Sequence, residues 1–322
     1  MPHPLTAALP TASRLSLGCM GLGGGWDDQP VNDGHLAQAQ AAIEAAQSVG
    51  ITLFDHADIY TLGKAERTFG ELFRRQPSLR DTMLLQTKCG IRFGDAAGPG
   101  RFDQSREWII TAAEASLQRL NTDHVDILLL HRPDPLMDPA EVAEAFDRLH
   151  AAGKVRHFGV SNMHSGQIRW LARSLGRPLV ANQLEMSLNK LDWLDAGTCF
   201  NDGLGAATLP WFDTLQHCQA EGIQLQSWGP LAKGWFSGSA PADAPARVHA
   251  TADLVKRLAG QHGVPTEAIV LAWLLKHPAQ IQPVIGTVRP ERIRACGAAL
   301  QVQLSREEWY QLYVSARGQR LP

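Results

Sequence analysis

The chain carries five cysteines, Cys19, Cys89, Cys199, Cys218 and Cys296, and none stands in a CxxC pair. Scattered singles form neither a disulfide framework nor the ligand spacing of a zinc site, so a reduced, cytoplasmic protein is expected. Long apolar runs are also missing: the longest, Ala268 to Leu275, is far shorter than the ~20 residues that cross a bilayer. The opening MPHPLTAALPTASRLS holds prolines and no apolar stretch of signal-peptide type. No charge sign dominates. Lys and Arg number 30 against 32 Asp and Glu, a formal charge of -2, which argues against nucleic acid as the main partner. HxH and HExxH spacings are lacking, so His56 is expected to pack or hydrogen-bond, and no metal is expected. No linker rich in Pro, Gly and Ser divides the chain, so one domain over residues 1–322 is expected.

What is present is a recurring unit of helix, glycine and short apolar strand. Leu36, Ala39, Ile43 and Ala46 share a helical face, Gly50 follows, and then ITLFD. Val142, Phe146 and Leu149 repeat the pattern before Gly153 and KVRHFGV; Gly176 precedes RPLVANQ, and Gly222 precedes IQLQSW. Eight strands are expected at 15–20, 51–54, 83–87, 125–130, 155–160, 179–183, 223–227 and 283–285. Most are apolar almost throughout, as strands covered on both faces are. Eight alternating units in a chain of this length imply an α/β protein built as a (β/α)8 TIM barrel. Long loops are expected at 91–105, 187–207 and 237–250, and an amphipathic helix after residue 304.

Catalytic groups in a barrel project from the C-terminal strand ends. Asp55 ends strand two, with Tyr60 five residues on; Lys88 ends strand three and His131 strand four. Those four types at one mouth suit carbonyl reduction. A developing alkoxide needs a proton, and a free tyrosine with a pKa of ~10 gives it reluctantly. A lysine ammonium beside the phenol is expected to lower that pKa, a carboxylate to hold the lysine charged, and a histidine to align the carbonyl oxygen. The run GLGGGW at 21–26 looks like a phosphate loop but lacks the Gly-Lys-Ser/Thr ending.

The segments FDHADIY (54–60), LLQTKCG (84–90), DILLLHRPDP (126–135), GKVRHFGVSN (153–162) and NQLEMSL (182–188) occur in order over nearly the whole chain. They resemble the signature segments of the aldo-keto reductase superfamily, most closely its bacterial reductases and its potassium-channel β-subunit branch. The resemblance implies an NADPH-dependent reductase of a small carbonyl substrate, with a catalytic tetrad of Asp55, Tyr60, Lys88 and His131. It implies that Ser161, Asn162 and Gln183 hold the nicotinamide carboxamide, that Trp228 stacks on its ring, and that Gly18, Cys19, Met20 and Asp55 lie beneath its ribose. Gly229, Pro230, Leu231, Lys233 and Gly234, in SWGPLAKG, and Gly286, in PVIGTVRPERIRA, match cofactor-holding segments. Thr287, Arg289 and Arg292 match the adenosine 2′-phosphate site, whose forked guanidinium donors favour NADPH over NADH. Ala295 and Cys296 stand where relatives often carry Glu and Asn. Trp26 and Trp193 are candidates for the substrate pocket. Two other readings are a slow or non-catalytic NADPH-bound redox-sensing subunit and a Schiff-base lyase using Lys88. Which carbonyl is reduced, and the oligomeric state, are not legible.

Overall fold

The computed structural model describes residues 3–96, 98–199 and 213–322. Among the described residues ten strands occur in chain order: β1 (Ser16–Gly18), β2 (Leu53–Asp55), β3 (Leu84–Cys89), β4 (Ile91–Arg92), β5 (Arg101–Phe102), β6 (Val125–Leu130), β7 (Val155–Ser161), β8 (Leu179–Glu185), β9 (Gln224–Trp228) and β10 (Gln282–Ile285). All but β4 and β5 form a closed parallel barrel, sealed where β1 pairs with β10 through Ser16 and Val284. The eight barrel strands are the expected eight. The fold is a TIM barrel. Among the described residues no helix is long and apolar enough to cross a membrane.

Helices lie outside the barrel. Those that matter for the site are α1 (Asp33–Ser48), α2 (Lys64–Arg75), α3 (Arg106–Leu120), α4 (Pro139–Ala151) and α5 (Ser165–Ala172). In the second half come α6 (Asp192–Thr198), α7 (Thr214–Ala220), α8 (Ala246–His262), α9 (Thr266–Lys276), α10 (Pro290–Gly297) and α11 (Arg306–Arg317). Gly50, Gly153 and Gly222 turn the chain from helix to strand with φ of 76°, 70° and 66°, the left-handed conformation that costs glycine least. Gly159 has a different duty: a Cβ there would stand 2.6 Å from the Leu129 side chain and 2.7 Å from the Ala181 carbonyl. The barrel interior leaves room only for hydrogen.

All three loop expectations need correction. Residues 91–105 hold the antiparallel β4–β5 hairpin, because Arg92 and Arg101 pair across it. The 237–250 stretch ends early, with α8 already begun at Ala246. Of the 187–207 loop, residues 188–199 include α6, and residues 200–207 lie outside the described residues. The helix after 304 is α11, capped by Ser305, whose side chain accepts from the Glu308 N–H.

The barrel interior is layered. At the bottom Leu53, Leu84 and Ile127 cluster with Leu5, from a short N-terminal 3-10 helix (Pro4–Ala7), and with Leu9 just after it, which together plug the opening. His3 anchors the plug, its Nδ1 2.9 Å from Gln224 Oε1 and its Nε2 2.9 Å from the Ala12 carbonyl. Above that apolar layer lies a buried glutamine layer. Gln226 Nε2 donates to Gln86 Oε1 (3.1 Å) and Gln282 Oε1 (2.9 Å), and Gln226 Oε1 accepts from Gln86 Nε2 (2.9 Å) and Gln183 Nε2 (3.1 Å). The sequence reading, which took these strands as apolar, missed this layer; the alternation in LLQTK and IQLQSW carried the signal.

Candidate active site

Strand parity positions the site. Leu84, Gln86 and Lys88 alternate along β3, so the residue two steps above the glutamine layer is the lysine. Lys88 is wholly buried, and its Nζ donates to Asp55 Oδ2 (2.8 Å), to Tyr60 Oη (3.0 Å) and to the His56 carbonyl (2.9 Å). Gln86 Nε2 donates to the other Asp55 oxygen at 2.6 Å, so the carboxylate is tied to the layer below. The His131 ring lies edge-on to Tyr60, centroids 6.0 Å apart. All four side chains expected to react meet at the C-terminal mouth.

Tyr60 is aimed by an unusual turn. Thr61, Leu62 and Gly63 follow it with φ of 47°, 60° and 81°. Two non-glycine residues in this region cost about 1 kcal/mol or more each. Thr61 Oγ1 offsets part of that by donating to the Leu22 carbonyl at 2.9 Å. Leu22 belongs to the glycine run, whose Gly23, at φ 80°, packs against the Lys64 backbone; a Cβ would stand 2.6 Å from it. The run is a packing device that brings the β1 loop onto the start of α2.

The electrostatics sort the roles. Burial alone would lower the Lys88 pKa, but the Asp55 carboxylate and the Tyr60 phenol overcome it and raise it above its ordinary value. The ammonium is held, and a lysine nucleophile needs its lone pair, so the Schiff-base reading loses its footing. Tyr60 departs from expectation. Lys88 does act to lower its pKa, but burial is the larger effect, with Asp55 adding to it, and the net direction is upward. The phenol therefore keeps its proton, ready to be given. Burial, then Lys88 and Arg132, bring His131 down to about 2, leaving a neutral imidazole whose Nδ1 has no partner among the described residues. His56 packs edge-on to Phe69 at 4.4 Å, as a structural histidine does.

The residues expected at the nicotinamide end converge on the same mouth. Asn162, at φ 60°, turns its amide inward, where Nδ2 donates to the His131 carbonyl (3.1 Å) and Ser161 Oγ (2.8 Å). Trp228 is linked to it directly: the indole N–H donates to Asn162 Oδ1 at 3.0 Å. The Arg132 guanidinium lies 5.8 Å from the Trp228 ring centre. Ser161 Oγ donates to the Gln183 carbonyl (2.9 Å), and the Cys19 N–H to the Asp55 carbonyl (2.8 Å). Gly18 and Cys19 are buried beside them, while Met20 is exposed at the rim.

The other end is a cavity of about 350 Å³. One wall is Gly229, Pro230, Leu231, Lys233 and Gly234; the other is Gly286, Thr287, Arg289 and Arg292, at the start of α10. The sequence reading missed Glu267, which lines this cavity 3.8 Å from the Arg292 Nε. Cys296 is fully buried and makes no part of the cavity. Trp26 is half exposed and packs edge-on to Phe93 of the hairpin loop at 6.5 Å, which adds Phe93 to the rim. Trp193 is not at the mouth. It is 2% exposed, packed against Trp273 at 5.7 Å and His277 at 5.2 Å, because α6 turns its apolar face toward α9. Among the described residues no cluster of three or more His, Cys, Asp or Glu could hold a metal.

The Aldo/keto reductase family model matches residues 14–314. The chain belongs to that family. It is 37% identical to a 6-dehydroglucose reductase of Agrobacterium fabrum, over 96% of each chain, and 37% identical to the oxidoreductase YcsN of Bacillus subtilis, over 89% of this chain and 90% of that one. Among solved structures, an aldo/keto reductase from Klebsiella pneumoniae in complex with NADP and acetate superposes with a TM-score of 0.68 at 27% identity, over 94% of this chain and 90% of that one. A glycerol dehydrogenase from Gluconobacter oxydans shares the fold, with a TM-score of 0.78 at 22% identity, over 97% of this chain and 94% of that one. This family member is an oxidoreductase with the family's barrel.

Proposed function

We propose that the protein reduces an aldehyde or ketone to an alcohol with NADPH, Tyr60 giving the proton. The observation that carries this reading is the Lys88 Nζ, within hydrogen-bond distance of both Asp55 and Tyr60 in a fully buried setting. NADPH, when bound, supplies the hydride. Thr287, Arg289 and Arg292 would hold its phosphate, Trp228 its nicotinamide ring, and Ser161, Asn162 and Gln183 its carboxamide. The residues present suit that group: exposed guanidinium at one end, an indole and a buried polar row at the other.

Tyr60 Oη gives its proton to the carbonyl oxygen as negative charge develops there, and the Lys88 ammonium stabilises the phenolate left behind. Asp55 keeps Lys88 charged through the exchange. The neutral His131 hydrogen-bonds the same oxygen and fixes its approach. Trp26 and Phe93 present apolar surface to whatever the carbonyl carries. The named Agrobacterium relative puts sugar-derived carbonyls first among substrates to assay.

Tyr60→Phe tests the assignment. Quenching of tryptophan fluorescence by NADPH should persist while turnover falls by about 10²–10⁴-fold. Unchanged turnover on an aldehyde and ketone panel would sink the assignment. Equal quenching by NADH and NADPH would overturn the phosphate part alone.

A further inference from the structure

One side chain in the cavity proposed for the adenosine end of the cofactor does not suit a phosphate. Glu267 is the one acid among the described residues that line it, where Lys233, Arg289 and Arg292 supply the cations. A carboxylate there repels a ligand phosphate, so its presence needs a reason. Its place in the first turn of α9 favours an acid through the helix dipole, but that does not explain why the acid lines the cavity.

The cations do not consume it. Glu267 Oε1 stands 3.8 Å from Arg292 Nε, outside hydrogen-bond distance, and Lys233 and Arg289 form no ion pair with it. The approach is through Nε, which leaves both terminal nitrogens of Arg292 for a phosphate. The two carboxylate oxygens differ. Oε2 accepts from the Thr266 hydroxyl at 3.2 Å. Oε1 accepts no hydrogen bond among the described residues, yet it is not one of their enclosed side-chain atoms, and the side chain keeps 13% of its surface exposed. Oε1 is therefore an acceptor on offer to whatever fills the cavity.

The ligand group that answers it must donate. At the adenosine end of NADPH the phosphate oxygens and ring nitrogens accept; only the adenine amino group and a ribose hydroxyl give a proton to share. Pro230, Leu231 and Val288 line the same cavity with apolar surface, as a flat base requires. We propose that Glu267 selects the base of the cofactor, Oε1 accepting from the adenine amino group while those three side chains cover the ring. This rests on the NADPH reading above and adds to it a helix, α9, which that reading leaves unused. The carboxylate then works by difference: a phosphate ligand without the amino group meets its repulsion and gains nothing in return.

Calorimetric titration of the full chain with two half-cofactors tests this without turnover. One is adenosine 2′,5′-bisphosphate; the other is purine riboside 2′,5′-bisphosphate, which carries hydrogen in place of the amino group. The unaltered chain should bind the first at least about tenfold more tightly, as one charge-assisted hydrogen bond predicts. Glu267→Ala should erase that preference and bind the purine riboside compound at least as tightly as before, because the repelling charge is gone. Glu267→Gln keeps the shape and an acceptor oxygen, so a smaller preference should remain; it carries the test should Glu267→Ala fail to fold. Equal affinities in the unaltered chain, or a preference undiminished by the substitutions, would overturn the proposal. So would an equal loss of both ligands in Glu267→Ala, which would make Glu267 a support for Arg292 alone. Failure of NADPH itself to quench tryptophan fluorescence would bring down the cofactor reading, and this proposal with it.

Discussion

Lys88 is wholly buried, and an ammonium so placed costs several kcal/mol unless it is paired. Asp55 supplies the pair, at 2.8 Å. Asp55→Asn keeps the shape and removes the charge, so urea unfolding should show a loss of about 3–5 kcal/mol, with turnover falling alongside it. In the cavity proposed for the adenosine end of the cofactor, Arg292 is partly exposed, with Glu267 3.8 Å away. Arg292→Ala should raise the KM for NADPH by about 10–100-fold and leave NADH nearly unaffected, as one charge-assisted contact predicts. Asp55 and Lys88 were legible in the sequence because each stands at a strand end where its type suits the chemistry; Arg292, inside α10, was legible only through the resemblance of its segment, and Glu267, on α9, was not. The direction of the Tyr60 shift was not. Adjacency to Lys88 is a local fact, but the burial that outweighs it is supplied by the whole mouth. Trp193 failed for the same reason: it lies on α6 and not in a loop, and its burial depends on Trp273 of α9, far along the chain.

Among elements, the glutamine layer does the most to position the site. Gln226 exchanges hydrogen bonds with Gln86, Gln183 and Gln282, and Gln86 passes the support to Asp55. Gln226→Leu would leave three buried amides short of partners. It should cost at least about 3 kcal/mol by thermal or urea unfolding, and slow turnover because Asp55 loses its underpinning. The strands themselves were readable from apolar runs and glycine punctuation. Their polar interior was hidden because a glutamine facing a barrel axis has the same sequence spacing as one facing solvent. The β4–β5 hairpin escaped notice for a related reason, since two-residue strands carry too little alternation to announce themselves.

For the whole molecule, buried titratable groups set the dependence of stability on pH. Burial first of all brings His56 to about 3, His131 to about 2 and His277 to about 4, against about 6.5 when unfolded. The unfolded chain therefore binds more protons below pH 6.5, and stability falls as pH drops from there toward 4. Asp58 works the other way. Its folded value of about 8 exceeds its unfolded one, so its contribution is complete below about pH 4 and is lost as pH rises through 8. A melting temperature that peaks near pH 6–7 should result, and Asp58→Asn should lift the alkaline side. A profile flat from pH 4 to 8 would contradict this account.

The N-terminal plug has a practical corollary for anyone handling the protein. Leu5 and Leu9 seal the barrel floor, and His3 is 3% exposed against Gln224, more than two hundred residues away. A purification tag or fluorescent fusion joined just ahead of His3 therefore pulls on a stopper, whereas one joined after the exposed Pro322 hangs free of the barrel. Circular permutants that cut between the plug and β1 would turn that stopper into a separate tail, and the bottom of the barrel would have to find a new lid.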